Sequence, residues 1–203
     1  MSIASPAAKA AHSTLLAAAW PEATSSALRM TLLALVGTAI LTLSAKIQVP
    51  FYPVPMTMQT FAVTVIGMAF GWRLGAATVV LYLIEGAAGL PVFAGTPEKG
   101  IGLAYMMGPT GGYLVGFVAA AGLVGWLAQR GWDRNVLTTL AAMAVGTLVI
   151  FVLGYIWLAA LIGLEKAWVF GVAPFLFGSV FKIALGAAVM PLAWKGVRLL
   201  HRG

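Results

Sequence analysis

The sequence predicts an all-α integral membrane protein with six transmembrane helices. Composition carries most of that reading: 62% of the 203 residues are hydrophobic and 8% are charged. Soluble domains are about 45–50% apolar and about 25% charged. Mean hydropathy is +1.00. The length allows about six spans of roughly 20 residues joined by short loops. The net charge of +7 does not point to nucleic acid, because the basic residues are scattered between apolar segments. There are no cysteines, which excludes disulfides, thiolate nucleophiles and Cys-based metal sites.

The spans follow in order. Ala27 to Leu43 is the first apolar run. Gln59 to Phe70 and Leu74 to Glu85 are the second and third, with Gly71-Trp-Arg-Leu-Gly75 turning between them. Both are short for a full span, which implies tilt or partial embedding. Gly111 to Gln129 is the fourth, Asn135 to Leu164 the fifth, and Gly171 to Trp194 the sixth. Residues 1–26 read as an N-terminal cytoplasmic arm, 27–195 as the membrane domain and 196–203 as a basic cytoplasmic tail. The apolar run Leu15–Trp20 is short for a signal h-region, so no cleaved signal is expected.

Charge sets the orientation. One side collects Lys9, Arg29, Arg73, Arg130, Arg134, Lys195, Arg198 and Arg202. The other holds Lys46, Lys99 and Lys166, the last two next to Glu98 and Glu165. The asymmetry puts both termini in the cytoplasm. Loops 44–58 and 86–110 then lie together outside. Both are rich in Pro, Gly and aromatics, and such backbone is tolerated in a membrane protein at the surface or beside a cavity. Pro50, Pro53 and Pro55 stiffen the first loop around Tyr52, as a lid or as a simple connection. Trp72, Trp132, Trp157, Trp168 and Trp194 read as interfacial belt residues.

Small residues recur four apart, which lets helices approach closely. Gly67, Gly71 and Gly75, and Gly112, Gly116 and Ala120, read as internal packing. Ala34 and Thr38 read as a face offered to another subunit.

No catalytic constellation is present, so an enzyme is not expected. The two histidines, His12 and His201, lie in the terminal arms, and no GxxxxGK[ST] loop exists for ATP. No cofactor or metal is implied. Lys182 lies about 13 Å into the sixth helix, counted from Pro174 at 1.5 Å per residue. An intramembrane cation faces a cavity or a partner. It is read as the group that pairs with a ligand carboxylate, against snorkelling or a structural pair with Glu85. Glu85 is the only acid inside an apolar span. It is an acceptor for ligand N–H groups or a helix-end residue in the interface. Gln59, Thr57 and Tyr52 close the first outer loop, Phe93 lies in the second, and Tyr113 opens the fourth span.

At these residues the chain resembles a known family. VPFYPVPMTMQT (49–60), YLIEGAAGLPVFAG (82–95) and GPTGGYLVGF (108–117) look like the signature segments of the biotin-specific S component (BioY family) of energy-coupling-factor transporters. The likeness runs from about Ala27 to Lys195. It implies an S-component-like bundle of six helices with a substrate pocket near the outer face, in a bacterial cytoplasmic membrane. The implied partners are biotin, a transmembrane coupling subunit, ABC-type ATPase subunits and the lipid bilayer. One departure stands out. The family often reads P-F-x-x-G-D-x-x-K, and here Pro174 to Lys182 has Ser179 where Asp is common. That raises the expected weight on Glu85 as acceptor for the ureido head.

Biotin has an anionic tail, an apolar ring and a ureido head with two N–H donors. Its site wants one cation, apolar walls and acceptors at the far end. Lys182, the Tyr/Phe-rich loops, and Glu85, Gln59 or Ser179 supply that set. Two rivals remain. One is an S component for another vitamin. The other is a non-transport channel or structural subunit, although a channel wants polar rings along several spans.

Overall fold

The computed structural model describes residues 14–20, 26–49 and 52–200. Lys9, His12, Pro50, His201 and Arg202 lie outside these residues, as does most of the arm.

Helix α1 (Leu15–Ala19) starts at Thr14, whose hydroxyl accepts the Ala17 N–H at 3.1 Å. α2 (Ala27–Lys46) starts at Ser26, which caps the Arg29 N–H in the same way. A two-stranded antiparallel ribbon follows, β1 (Gln48–Val49) on β2 (Met56–Thr57), with Gln48 opposite Thr57. α3 (Gln59–Ala87) is helical on both sides of Gly71, where φ is 80° and ψ is 171°. α4 (Gly102–Met106) is one short turn in the following loop. α5 (Gly111–Gln129) and α6 (Val136–Ile162) are long and apolar, and α6 starts at an Asn135 cap. α7 (Leu164–Gly171) is a short amphipathic helix, and α8 (Ala173–Leu200) completes the bundle.

Five helices among the described residues are long and apolar enough to cross a membrane. The expected number of segments is six, and Gly71 reconciles the two figures. It breaks α3 into two arms that fold back on each other. Gln59 at the start of one arm bonds Tyr82 near the end of the other. A Cβ added at Gly75 would come 2.9 Å from the Gly67 Cα. The expected second and third spans are therefore the arms of α3. The positive φ at the reversal is a conformation that glycine adopts without penalty. The ribbon, α4 and α7 were not expected. Each is too short to leave a periodic signal in sequence.

The small residues do pack inside. A Cβ at Gly67 would lie 2.6 Å from Ala121 O, and one at Gly116 would lie 2.9 Å from Ile150 Cα. So α3, α5 and α6 meet nearly backbone to backbone. Ala34 and Thr38 also turn inward, at 7% and 4% exposure. The Thr38 hydroxyl donates to Glu85 Oε1 at 3.0 Å. The small side chains of these two residues let α2 lie close against α3, and Ala34 also borders an open groove with Arg73 and Leu74. The exposed apolar positions of α2 include Leu28, Leu32, Val36, Ile40 and Leu43. With Leu148, Ile156, Phe177 and Phe181 they make an apolar exterior suited to lipid.

The core has two parts. One lies toward the loop-rich end around Tyr82, Phe93, Phe117 and Ile150. The other lies toward the arginine-rich end around Met68, Val124, Met143 and Met190. At the arginine-rich end Asp133 is fully buried, and its Oδ2 accepts the Trp194 Nε1–H at 2.6 Å. The Arg134 guanidinium lies 4.5 Å from the Trp194 ring centre. This links the α5–α6 turn to the end of α8. Burial pushes the Asp133 carboxyl up to about 6, against the smaller opposing effect of the Trp194 hydrogen bond.

Candidate functional site

A cavity opens between α3, α5, α6, α8 and the two loops, with about 580 Å³ of empty space including its open mouth. Its residues come from distant parts of the chain because the α3 reversal brings Gln59 and Tyr82 to one end. Lys182, Ser179, Gln59, Thr57, Phe93 and Tyr113 all line it. These are six of the eight ligand-site residues expected from the sequence.

Lys182 reaches from α8 to the start of α3. Its Nζ donates to Thr57 O at 2.6 Å and to Thr60 Oγ1 at 3.2 Å. An ammonium has three donors, so one is left for a ligand. No acid among the described residues lines the cavity. The lysine is thus solvated by neutral oxygens, and no carboxylate of the described residues compensates its charge. Ser179, one helical turn away on the same face, is 6% exposed. Its hydroxyl has no partner among the described residues.

Gln59 is more committed. Its Nε2 donates to the Tyr82 hydroxyl at 2.7 Å, and the Tyr82 hydroxyl donates to Val92 O at 2.8 Å. Its Oε1 accepts from Thr57 Oγ1 at 3.3 Å. Gln59 therefore fixes the wall as well as facing the space. Phe93 meets Tyr82 edge-on at 5.3 Å and stacks on Tyr105 at 5.0 Å. Gly86 has no Cβ because the Phe93 ring occupies that place. Tyr113 donates its hydroxyl to Gly171 O at 2.7 Å and turns its ring to the cavity.

The loop that carries Phe93 is held by its carbonyls. Tyr82 bonds Val92 O, Tyr105 bonds Ala94 O at 2.8 Å, and Lys46 bonds Phe93 O and Thr96 O at 3.1 and 3.0 Å. Burial raises the Tyr105 phenol above its usual range, which keeps it a donor. Such anchoring makes irregular backbone a rigid wall.

Two expected residues lie elsewhere. Glu85 does not line the cavity and is turned to Thr38. Tyr52 is 86% exposed and belongs to a separate crevice. Sequence reasoning missed Thr60, Tyr105, Phe151 and Phe175. Thr60 and Phe175 fall inside the quoted motifs and could have been found there. Phe151 sits in an unbroken apolar run that marks no face. The arrangement can hold a small, mainly apolar molecule by one anionic group, with neutral hydroxyls and an amide for its polar remainder.

Fold and cavity together define a polytopic membrane protein with an internal cavity that carries one ammonium. The sequence matches the BioY family over residues 13–199, and the chain belongs to that family. It is 39% identical to a probable biotin transporter BioY of Pyrococcus horikoshii, over 74% of this chain and 87% of that one. It is 35% identical to the biotin transporter BioY of Thermotoga maritima, over 75% and 88%. The BioY of Rhodobacter capsulatus is 34% identical over 86% and 98%. A crystal structure of the S-component for biotin from an ECF-type ABC transporter shares the fold, with a TM-score of 0.70. It is 23% identical and covers 89% of this chain and 94% of its own.

Proposed function

We propose that the chain binds biotin from outside the cytoplasmic membrane and mediates its uptake as the S component of an ECF-type transporter. The observation that carries the reading is Lys182, an ammonium with no acid beside it in a cavity otherwise walled by apolar and neutral groups. The biotin carboxylate meets Lys182. The thiophane ring lies along Phe93, Tyr113 and Phe175. The ureido head takes its acceptors from neutral groups of the wall away from Lys182, because Glu85 is engaged with Thr38 outside the cavity. Family membership supports biotin over other small anions, for which the cavity chemistry alone is permissive.

The chain has no nucleotide-binding loop, so energy for uptake comes from a coupling subunit and ATPase subunits. These dock on the exposed apolar side of α2 together with the groove beside Ala34, Arg73 and Leu74. Both termini face the cytoplasm, a reading that the lysine and arginine asymmetry supports. The test is direct binding of labelled biotin to the detergent-purified chain. Saturable binding competed by biotin is expected, and no binding would overturn the reading.

A further inference from the structure

Two further crevices lie at the loop-rich end, bordering one another and the cavity. The outer one is bounded by Tyr52, Pro53, Pro109 and Lys166. The middle one shares Pro53 and Pro109 with it and adds Lys99. The middle crevice in turn shares Pro55, Tyr105 and Thr110 with the cavity. The three spaces are therefore neighbours in a row, parted by the shared residues of the ribbon loop and the 104–110 segment.

Each space holds one cation: Lys166, then Lys99, then Lys182. No acid among the described residues lines any of the three. Glu98 and Glu165 neighbour the outer lysines in sequence but are not in these walls, and neither lysine is ion-paired among the described residues. Lys99 is also positioned. Its backbone N–H bonds Gly95 O at 2.8 Å, and its stem lies over Gly95, where an added Cβ would come 2.7 Å from Lys99 Cδ. Gly95 thus leaves the space that the lysine stem crosses.

We infer that these crevices are the access route of an anionic ligand, with Lys166 and Lys99 as steps that hand its carboxylate to Lys182. The inference rests on the biotin reading above. Charges of one sign in a cleft with low-dielectric walls raise the rate of association and leave the final complex little changed. Lys166 and Lys99 are outside the cavity lining, so their contribution belongs to entry.

The experiment is stopped-flow mixing of biotin with the purified chain, followed by its aromatic emission, at low and high salt. In Lys99→Gln/Lys166→Gln the association rate at low salt should fall by about three- to tenfold, as for loss of electrostatic steering. The dissociation rate should hold. The difference should vanish at high salt, and uncharged biotinamide should show none. Normal binding with an unchanged association rate would overturn the charge steps. Pro109→Trp, which narrows the wall shared by both crevices, should slow association and dissociation alike. Unchanged rates in that variant would place entry elsewhere. Absence of any biotin signal in the unsubstituted chain would instead overturn the function itself.

Discussion

The cavity concentrates its chemistry in two residues of α8, three positions apart. Lys182→Met removes its cation, and the expected loss of biotin affinity is about 2–5 kcal/mol, as for truncating one partner of a buried charge pair. Isothermal titration of the purified variant measures it, and biotinamide should barely distinguish the variant from the parent. Ser179 and Glu85 give a second comparison. Ser179 faces the cavity without a protein partner, whereas Glu85 accepts from Thr38 outside it. Ser179→Ala should therefore weaken biotin by about 0.5–1.5 kcal/mol, the net worth of one hydrogen bond. Glu85→Gln should weaken it less, and a larger loss in Glu85→Gln would restore the acid as a ligand group. Lys182 was legible in sequence because an ammonium inside an apolar helix has few explanations. The direction of Glu85 was not. A carboxylate near a helix end looks the same whether it faces a ligand or a threonine on the next helix.

Between residue and bundle, the elements are set by glycine and by one buried acid. Gly67→Val places side-chain atoms where α5 backbone already lies. It should cost about 1–3 kcal/mol or more of stability through overpacking, read as a lowered melting temperature. Gly196→Ala, where nothing lies within 4 Å, should leave it unchanged. Asp133 predicts a pH effect. Burial pushes its carboxyl up to about 6 in the folded protein, against 3.8 as the ordinary value. Between those values the folded state holds the proton more tightly than the unfolded state, so stability falls as pH rises from about 4 to 6. Asp133→Asn should lose that part of the pH dependence, measured as the difference in melting temperature between the two proteins across the window. The helices themselves were legible from their apolar length, and α5 keeps its expected bounds of Gly111–Gln129. The role of Asp133 was not legible, because a charged residue in a polar turn gives no sign that it will be buried under a tryptophan two residues before the chain's basic tail.

For the whole molecule, the prediction is topology. The cysteine-free chain accepts single reporter cysteines without background labelling. A cysteine in place of Glu98 should react with a membrane-impermeant maleimide in intact cells, and one at Gly196 should react only after permeabilisation. Both positions are exposed. Thr96, in the same loop, is a poor reporter because it is buried against Lys46. The bundle plan was readable from the order of apolar runs and basic turns. The cavity's composition was readable only in part. Motif residues announce themselves, but Phe151 and Ile150 enter the site through the rotation of α6, and a helix apolar on every side does not reveal which side faces inward.

The break at Gly71 also bears on how the chain is made. At 1.5 Å per residue the arm from Gln59 to Phe70 is about 18 Å long and the arm from Trp72 to Ala87 about 24 Å. The hydrocarbon core of a bilayer is about 30 Å thick. Neither arm alone is a good membrane anchor, and the first would leave backbone groups of its connections in lipid. During synthesis the two arms are expected to leave the translocon as a pair, already folded back at the glycine. Stable integration then waits for α5, whose glycines receive the hairpin backbone.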